Sequence, residues 1–340
     1  MRLNYKAWNI KEEDYPEHSS FYDKMKFILG YAILAPSAHN IQPWEVTIGN
    51  DNVILKINEK RSLDYSDKDR RQSYESLGTF LETFLIVLKY FDFDYKLDIN
   101  YKDKFKIIVN IFKVQDRNID EKNKLLFENI TKRHSAKLYY MSDEIDTDFL
   151  ESINSLCENK LVNINFFSDK NIIKEIAGIV GEGTEEAFMD KEFCKELSCW
   201  VKSSWTKSHA GMPAHTMGIP RFITGLIPFV IKNMNMSKMQ SKNAYKTVLK
   251  TPCVGVISGK NEIESWLNAG RVYQRIALYM TSFGYHTSVM GAPIESNLAA
   301  QKLKKVTKLD DRPILFFRIG KQKKKLIKSP RYFVDQIIIK

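Results

Sequence analysis

Cysteine is scarce in this chain, with four in 340 residues, at positions 157, 194, 199 and 253. No C-x-x-C spacing and no nearby histidine pair accompany them, so neither a zinc site nor a disulfide framework is expected, and all four are read as buried free thiols. Long apolar runs are missing as well. The longest apolar-leaning stretch, Ile219 to Lys232, is interrupted by Pro220, Arg221 and Pro228 and falls short of the ~20 residues that span a bilayer. Met1 to Tyr15 is too charged for a signal peptide; the expectation is a soluble, cytoplasmic protein with no membrane partner. An acidic surplus is absent too, the formal charge being +11. No aromatic-interleaved basic module or recognition motif goes with that charge, so no nucleic-acid partner is expected. Outside Lys321 to Lys328 the lysines are read as scattered among acidic residues on a solvated face.

What is present is apolar material, 44% of the chain, enough to bury a substantial core; the length admits one large domain or two ordinary ones. Leu77, Phe80, Leu81, Phe84, Leu85 and Leu88 predict one face of a helix, followed by strand-like Tyr95 to Asn100 and Phe105 to Lys113. The order recurs later. Tyr273, Ile276, Ala277, Met280 and Phe283 line a helix that Gly284 ends, and strand-like His286 to Met290 and Ile314 to Ile319 follow. Gly78 interrupts the first stripe at a cost of about 1 kcal/mol relative to alanine, and stands either for close helix packing or for a tolerated surface glycine. No Pro/Gly/Ser linker separates the halves. The polar run Gln115 to Lys124 marks the joint, giving residues 1–120 and 121–340 as two halves that share one core.

The most constrained segment runs from Ala35 to Trp44. Ser20 and Asp23 have capping-box spacing, Phe27, Ile28, Tyr31, Ala32 and Ala35 follow helical periodicity, and Pro36 stops that helix. Ser37 and Asn40 then offer a hydroxyl and an amide to whatever occupies the turn. An ordinary helix-to-strand loop would explain an isolated Ser-x-x-Asn, but not the longer run.

That run, Pro36 to Trp44, resembles the PS-x-x-N-x-QPW signature of the nitroreductase family, in which the loop lies against the FMN ring across a dimer interface. Arg133-His134-Ser135-Ala136-Lys137 resembles the RHS-x-K stretch near the start of many members. In the family the second motif precedes the first; here it follows about a hundred residues later, which implies an internal duplication. The chain thus resembles the fused-pair, Acg-type branch, in which one chain imitates the family homodimer. The resemblance implies a nitroreductase-like α+β fold, the central, mostly antiparallel sheet of each half being flanked by helices.

It also implies a single FMN site built from both halves. Arg133 and Ser135, with His134 in the same stretch, would hold the phosphate, where a guanidinium fork gives charge-assisted hydrogen bonds. Lys137 would lie by N1 and O2 and favour the reduced anion. Pro36, Ser37, Ala38 and Asn40 would meet the opposite ring edge, with His39 turned elsewhere into a local hydrogen bond, a proton donor to the substrate being its alternative role. Gly291 to Ser296 resembles the family's PIEG segment, so Pro293, Ile294 and Glu295 would lie near N5 and lend a backbone donor. Ser296 stands in place of the usual glycine, and a plain strand-to-helix turn capped by Ser296 is the alternative. Lys328 and Arg331 resemble the basic pair that completes the phosphate pocket, one residue out of the usual spacing, Arg331 being the better match; the alternative is the solvated run from Lys321. Glu17-His18-Ser19-Ser20 falls where a mirror-image phosphate motif would stand, and its glutamate would repel a phosphate.

Phe193 to Met239 matches no core motif. It combines Trp200, Trp205, His209, His215, Arg221 and the methionines 212, 217, 234 and 236, and reads equally as a lid over the flavin or as a helical excursion packed on the body. The implied activity is hydride transfer from NAD(P)H to flavin N5 and on to a nitroaromatic, quinone or similar planar acceptor. No catalytic side chain and no metal are required, because the flavin carries the chemistry. A non-catalytic FMN-sequestering protein is the alternative, and specialised flavin chemistry on the same scaffold is a third. A pseudo-dimeric monomer is expected, with a homodimer as the alternative.

Overall fold

The computed structural model describes residues 2–101, 105–114, 120–141, 143–156, 159–322 and 327–339. Cys157, much of the Gln115 to Lys124 joint and the middle of the run from Lys321 lie outside these. Helix α1 (Phe21–Ala32) begins as its capping spacing predicts, the Ser20 hydroxyl accepting from the Asp23 amide. It ends at Ala32, where tight turns of Leu34 onto Tyr31 and Ala35 onto Ala32 replace the helical bonds before Pro36 is reached. The first half continues with β1 (Trp44–Ile48), β2 (Asn52–Ile57), α2 (Arg71–Tyr90), β3 (Phe93–Asn100) and β4 (Lys106–Lys113). The second comprises α3 (Glu121–Glu128), α4 (Thr147–Leu156), β5 (Val162–Phe167), α5 (Lys170–Met189), α6 (Lys191–Trp200), the two-residue strands β6 (Val201–Lys202) and β7 (Met212–Pro213), α7 (Ile227–Asn233), α8 (Ser237–Leu249), β8 (Cys253–Gly259), α9 (Ile263–Ser282), β9 (His286–Val289), α10 (Ala292–Glu295), α11 (Asn297–Thr307) and β10 (Arg312–Gly320).

Both large sheets are antiparallel throughout, with strand orders β1-β2-β4-β3 and β5-β8-β10-β9. These are one topology written twice: a 20-residue helix, α2 or α9, stands between the second and third strands of each. The second sheet differs by excursions, α5 to α8 after its first strand and α10 with α11 after its third.

The expected apolar stripe of α2 is wholly buried, and Phe80 and Phe84 share a cluster with Leu267 and Leu278 of α9. Burying each such side chain contributes about 1.5–3 kcal/mol. Gly78 has a packing reason: a methyl group there would run into the Leu267 carbonyl oxygen, and one at Gly270 into that of Glu75. Backbones therefore cross in contact at this point. Glu82 locks the crossing by accepting from Arg271 Nε at 2.9 Å and Arg275 Nη1 at 2.6 Å, and Gln274 donates to Thr83. The C-terminal segment returns to the first half, where Val46 donates to Ile337 and accepts from Ile339 at 2.9 and 2.8 Å. Cys194 and Cys253 are buried as expected; Cys199, on the outer side of α6, is exposed. No helix among the described residues is long and apolar enough to cross a membrane.

Candidate functional site

A cavity of about 820 Å³ is walled by both halves, and Pro36 to Asn40, Arg133, His134, Ser135, Lys137, Ile294, Glu295 and Arg331 all line it. Residues almost 300 positions apart in sequence thus line one cavity. Pro293 and Lys328 do not line it; Lys328 sits with Nζ 5.0 Å over the Trp8 ring.

The first-half loop is strained. His39, Asn40 and Gln42 have φ of 44°, 58° and 54°, left-handed backbone that costs a non-glycine residue of order 1 kcal/mol. Side-chain bonds hold it there. Asn40 Nδ2 donates to the carbonyls of Gly211 (3.0 Å) and Pro330 (3.1 Å), while its Oδ1 accepts from Arg331 at 2.7 Å. Gln42 donates to the His209 carbonyl and accepts from the Tyr332 amide, and its own amide reaches Ser37 Oγ. The amides of Asn40 and Gln42 are therefore spent on the cover and the C-terminal segment, and Asn40 acts on the cavity through Arg331. His39 departs from expectation. Rather than making a local hydrogen bond, it faces the cavity with Nδ1 unpartnered, and burial, helped by the Lys137 charge, pushes it down to about 4.

One end of the cavity is cationic. Arg133 and Arg331 are almost fully buried, and both donate to the Leu34 carbonyl, at 3.0 and 3.1 Å. Arg331 also reaches the carbonyls of Ala35 and Pro330, but neither guanidinium pairs with a carboxylate among the described residues. Arg133 Nη1 and Arg331 Nε are buried without a hydrogen-bond partner among the described residues. Burial pushes Arg133 down to about 10; burial and then the Arg133 charge push Arg331 down to about 9. Lys137 is lowered to about 8 by burial, and His134 to about 4 by burial, with Arg133 and His286 adding to it. The strap carrying these groups is fixed from behind. Arg318, itself buried, donates to the carbonyls of Ala136, Lys137 and Leu138, and Ala136 donates to Thr287 of β9.

The other end holds a constellation that sequence reading missed. Arg71, at the start of α2, donates to Glu75 Oε1 at 2.5 Å, to the Ile314 carbonyl at 2.6 Å and to Glu295. Burial raises Glu75 to about 8 and Glu295 to about 7, although Arg71 opposes both. One guanidinium cannot neutralise two buried carboxylates, so near neutral pH the pair keeps a proton between them. Only the Arg71–Glu75 spacing of four on a helix was visible in sequence.

The PIEG-like stretch also departs from expectation. Ala292 to Glu295 forms the short helix α10, in which the amides of Ile294 and Glu295 donate to the Gly291 carbonyl, so these two donors are occupied internally. What this stretch presents is the Glu295 carboxyl. Ser296 has φ of −76° and caps α11 through the Ala299 amide, a conformation needing no glycine.

The Phe193 to Met239 segment packs on the first half and also reaches the cavity. Phe193, Met212 and Met217 line the cavity, while Glu196 accepts from the amides of Tyr65 and Ser66 and Asn4 donates to the carbonyls of Thr206 and Ser208. It is a cover bolted to the first half.

No protein-family model and no curated protein matches the chain. Among solved structures, it is similar to the FMN- and NADPH-dependent nitroreductase NfnB from Sphigopyxis sp. strain HMH, with 11% identity, a TM-score of 0.43 and coverage of 63% of this chain and 97% of that one. Nitroreductase A from Vibrio parahaemolyticus RIMD 2210633 gives 12%, 0.38, and 61% against 71%. The NADPH:FMN oxidoreductase from Vibrio harveyi gives 12%, 0.38, and 61% against 73%. These overlaps are partial.

Proposed function

We propose that the chain is an internally duplicated, FMN-dependent oxidoreductase of the nitroreductase type, with one flavin site built between its halves. The observation that carries this is the cationic end of the cavity: two buried guanidiniums without a carboxylate, each with an orphaned N–H. Such a pair is an unfavourable arrangement until an anion fills it, and the planar guanidinium fork suits a phosphate. Arg133 and Arg331 would hold the phosphate, Asn40 would orient Arg331, and Lys137 would add positive charge farther along the wall.

When bound, the flavin supplies the redox chemistry, carrying hydride from NAD(P)H to a nitroaromatic, quinone or similar planar acceptor. The chain's part is to bind, to exclude water and to manage protons. Phe193, Met212 and Met217 form an apolar inner cover, and the Glu75–Glu295 pair holds a proton on a carboxyl oxygen at the cavity wall near neutral pH. His39, neutral above about pH 4, offers an uncharged imidazole.

The test is the visible spectrum of the purified protein, with released cofactor counted per chain, followed by anaerobic addition of NADPH or NADH. One FMN per chain that bleaches on mixing supports the reading; no flavin uptake from added FMN would falsify it. Arg133→Ala is expected to weaken FMN binding more than His39→Ala, and equal affinities would overturn the phosphate assignment. The bolted cover favours a second reading, a protein that holds flavin out of reach. In that case the bound flavin stays oxidised under excess nicotinamide until the cover is loosened by Glu196→Ala.

A further inference from the structure

The positive charge of this chain is not spread as its overall composition suggests. Between Glu196 and Glu262 there is no aspartate or glutamate, while eight lysines and Arg221 fall in that interval, nine cations in a chain whose net charge is +11. Seven of these lysines and Arg221 are exposed, and none of the nine forms a salt bridge among the described residues. Four of the lysines recur every four residues, Lys238, Lys242 and Lys246 in α8 and Lys250 as its C-cap.

The same interval exposes large apolar side chains. From Pro220 to Asn233 successive turns, a 3₁₀ turn at Arg221–Ile223 and then α7, are linked by continuous backbone bonds. Thr224, Ile227 and Ile231 turn inward, the isoleucines packing in the cluster beneath the cover. At the alternate spacing Phe222, Leu226 and Phe229 turn outward, 86%, 64% and 66% exposed. Trp205, 63% exposed, and Met234, 58% exposed, belong to the same interval. A ridge apolar on both faces is unusual for a surface helix and marks a docking site rather than a solvated face.

We infer that this ridge docks on an anionic phospholipid surface, Phe222, Leu226 and Phe229 entering the headgroup boundary while Arg221 and Lys232 on the same turns meet the lipid charges. Aromatic and aliphatic tips on turns that also expose Arg221 and Lys232, in a stretch of sequence with no acid between Glu196 and Glu262, are the chemistry of interfacial membrane binding. A second copy of the chain is disfavoured because it would bring two strongly cationic patches together. Nucleic acid would use the lysines, but would leave Leu226 and its neighbours without a function. The inner residues of the same cover line the cavity, so a docked bilayer would lie against the cavity's cover. The inference does not depend on the redox reading.

The experiment is co-sedimentation of the full chain with vesicles of equimolar phosphatidylcholine and phosphatidylglycerol, against pure phosphatidylcholine. Binding is expected to the anionic vesicles, weaker by about tenfold or more on the neutral ones and in high salt. The double variant Phe222→Ser/Phe229→Ser should lose about tenfold or more in affinity, and Phe222→Leu/Phe229→Leu should retain it, which separates apolar insertion from misfolding. Absence from the anionic pellet overturns the inference. So does unchanged binding by the serine variant, which would leave only diffuse charge attraction. Self-association abolished by the same serines, or RNA binding tighter than vesicle binding and sensitive to them, assigns the ridge to those partners instead.

Discussion

Arg71 and Arg133 are buried guanidiniums on the wall of one cavity, and their surroundings are opposite. Arg71 has more acid than it can neutralise, Glu75 and Glu295 both bonding to it. Arg133 has a single carbonyl and shares that with Arg331. The first arrangement is complete within the chain; the second is incomplete without an anion. Burial alone does not mark a binding residue. What separates the two is whether the charge is matched from inside.

The largest expected effect comes from breaking the matched end. Arg71→Met leaves two acids at a buried site and should lower stability by about 3–5 kcal/mol in urea titration. Arg133→Met should leave the flavin-free chain as stable or more so, because an unmatched charge is replaced by an apolar side chain of similar length. Equal destabilisation by both would end the contrast. Ligand affinity should respond in the reverse sense: Arg133→Met loses a charge-assisted contact of about 1.5–3 kcal/mol, roughly tenfold to 150-fold in the Kd for FMN. An unchanged Kd would show that the phosphate lies elsewhere.

Protonation sharpens the same comparison. Folding raises Glu75 to about 8 from an ordinary value near 4.5, so the folded chain holds a proton that the unfolded chain has released. Its contribution to stability is present below about pH 4.5 and is lost as pH rises towards 8. Glu75→Gln keeps a neutral partner for Arg71 and should flatten the decline in stability over that window, read from urea midpoints. An unaltered slope would mean that the proton resides on Glu295.

How much of this could be read from residues alone depends on the range of the interaction. The Ser20 cap, the α2 stripe and the Pro36–Trp44 loop are local patterns, and each lies where periodicity or turn chemistry puts it. The use of Asn40 is not local: its partners are Gly211, Pro330 and Arg331, so a side chain that reads as a ligand contact becomes a clamp. Glu295 and Arg71 are 224 positions apart, and no periodicity joins them. Gly78 was ambiguous until Gly270 appeared opposite it. The acid-free interval from 197 to 261 is a different case, legible as a bare string but hidden within a chain-wide charge total.

The smallest effect separates the two ends by proton count. Burial alone lowers Lys137 to about 8, so near pH 8 it is about half protonated in the free protein. An anionic ligand beside it favours the charged ammonium, so FMN binding should take up a fraction of a proton near pH 8; near pH 6, where Lys137 is already charged and the phosphate has its second pKa, the sign should reverse to proton release. The matched end contributes little to this uptake, because Glu75 and Glu295 are set by Arg71 whether or not ligand is present. Calorimetric titration of FMN in two buffers of different ionisation enthalpy measures the uptake directly. Lys137→Met should abolish it while Glu75→Gln leaves most of it. The opposite result would place the ligand's negative charge at the Arg71 end and reverse the polarity argued for the cavity.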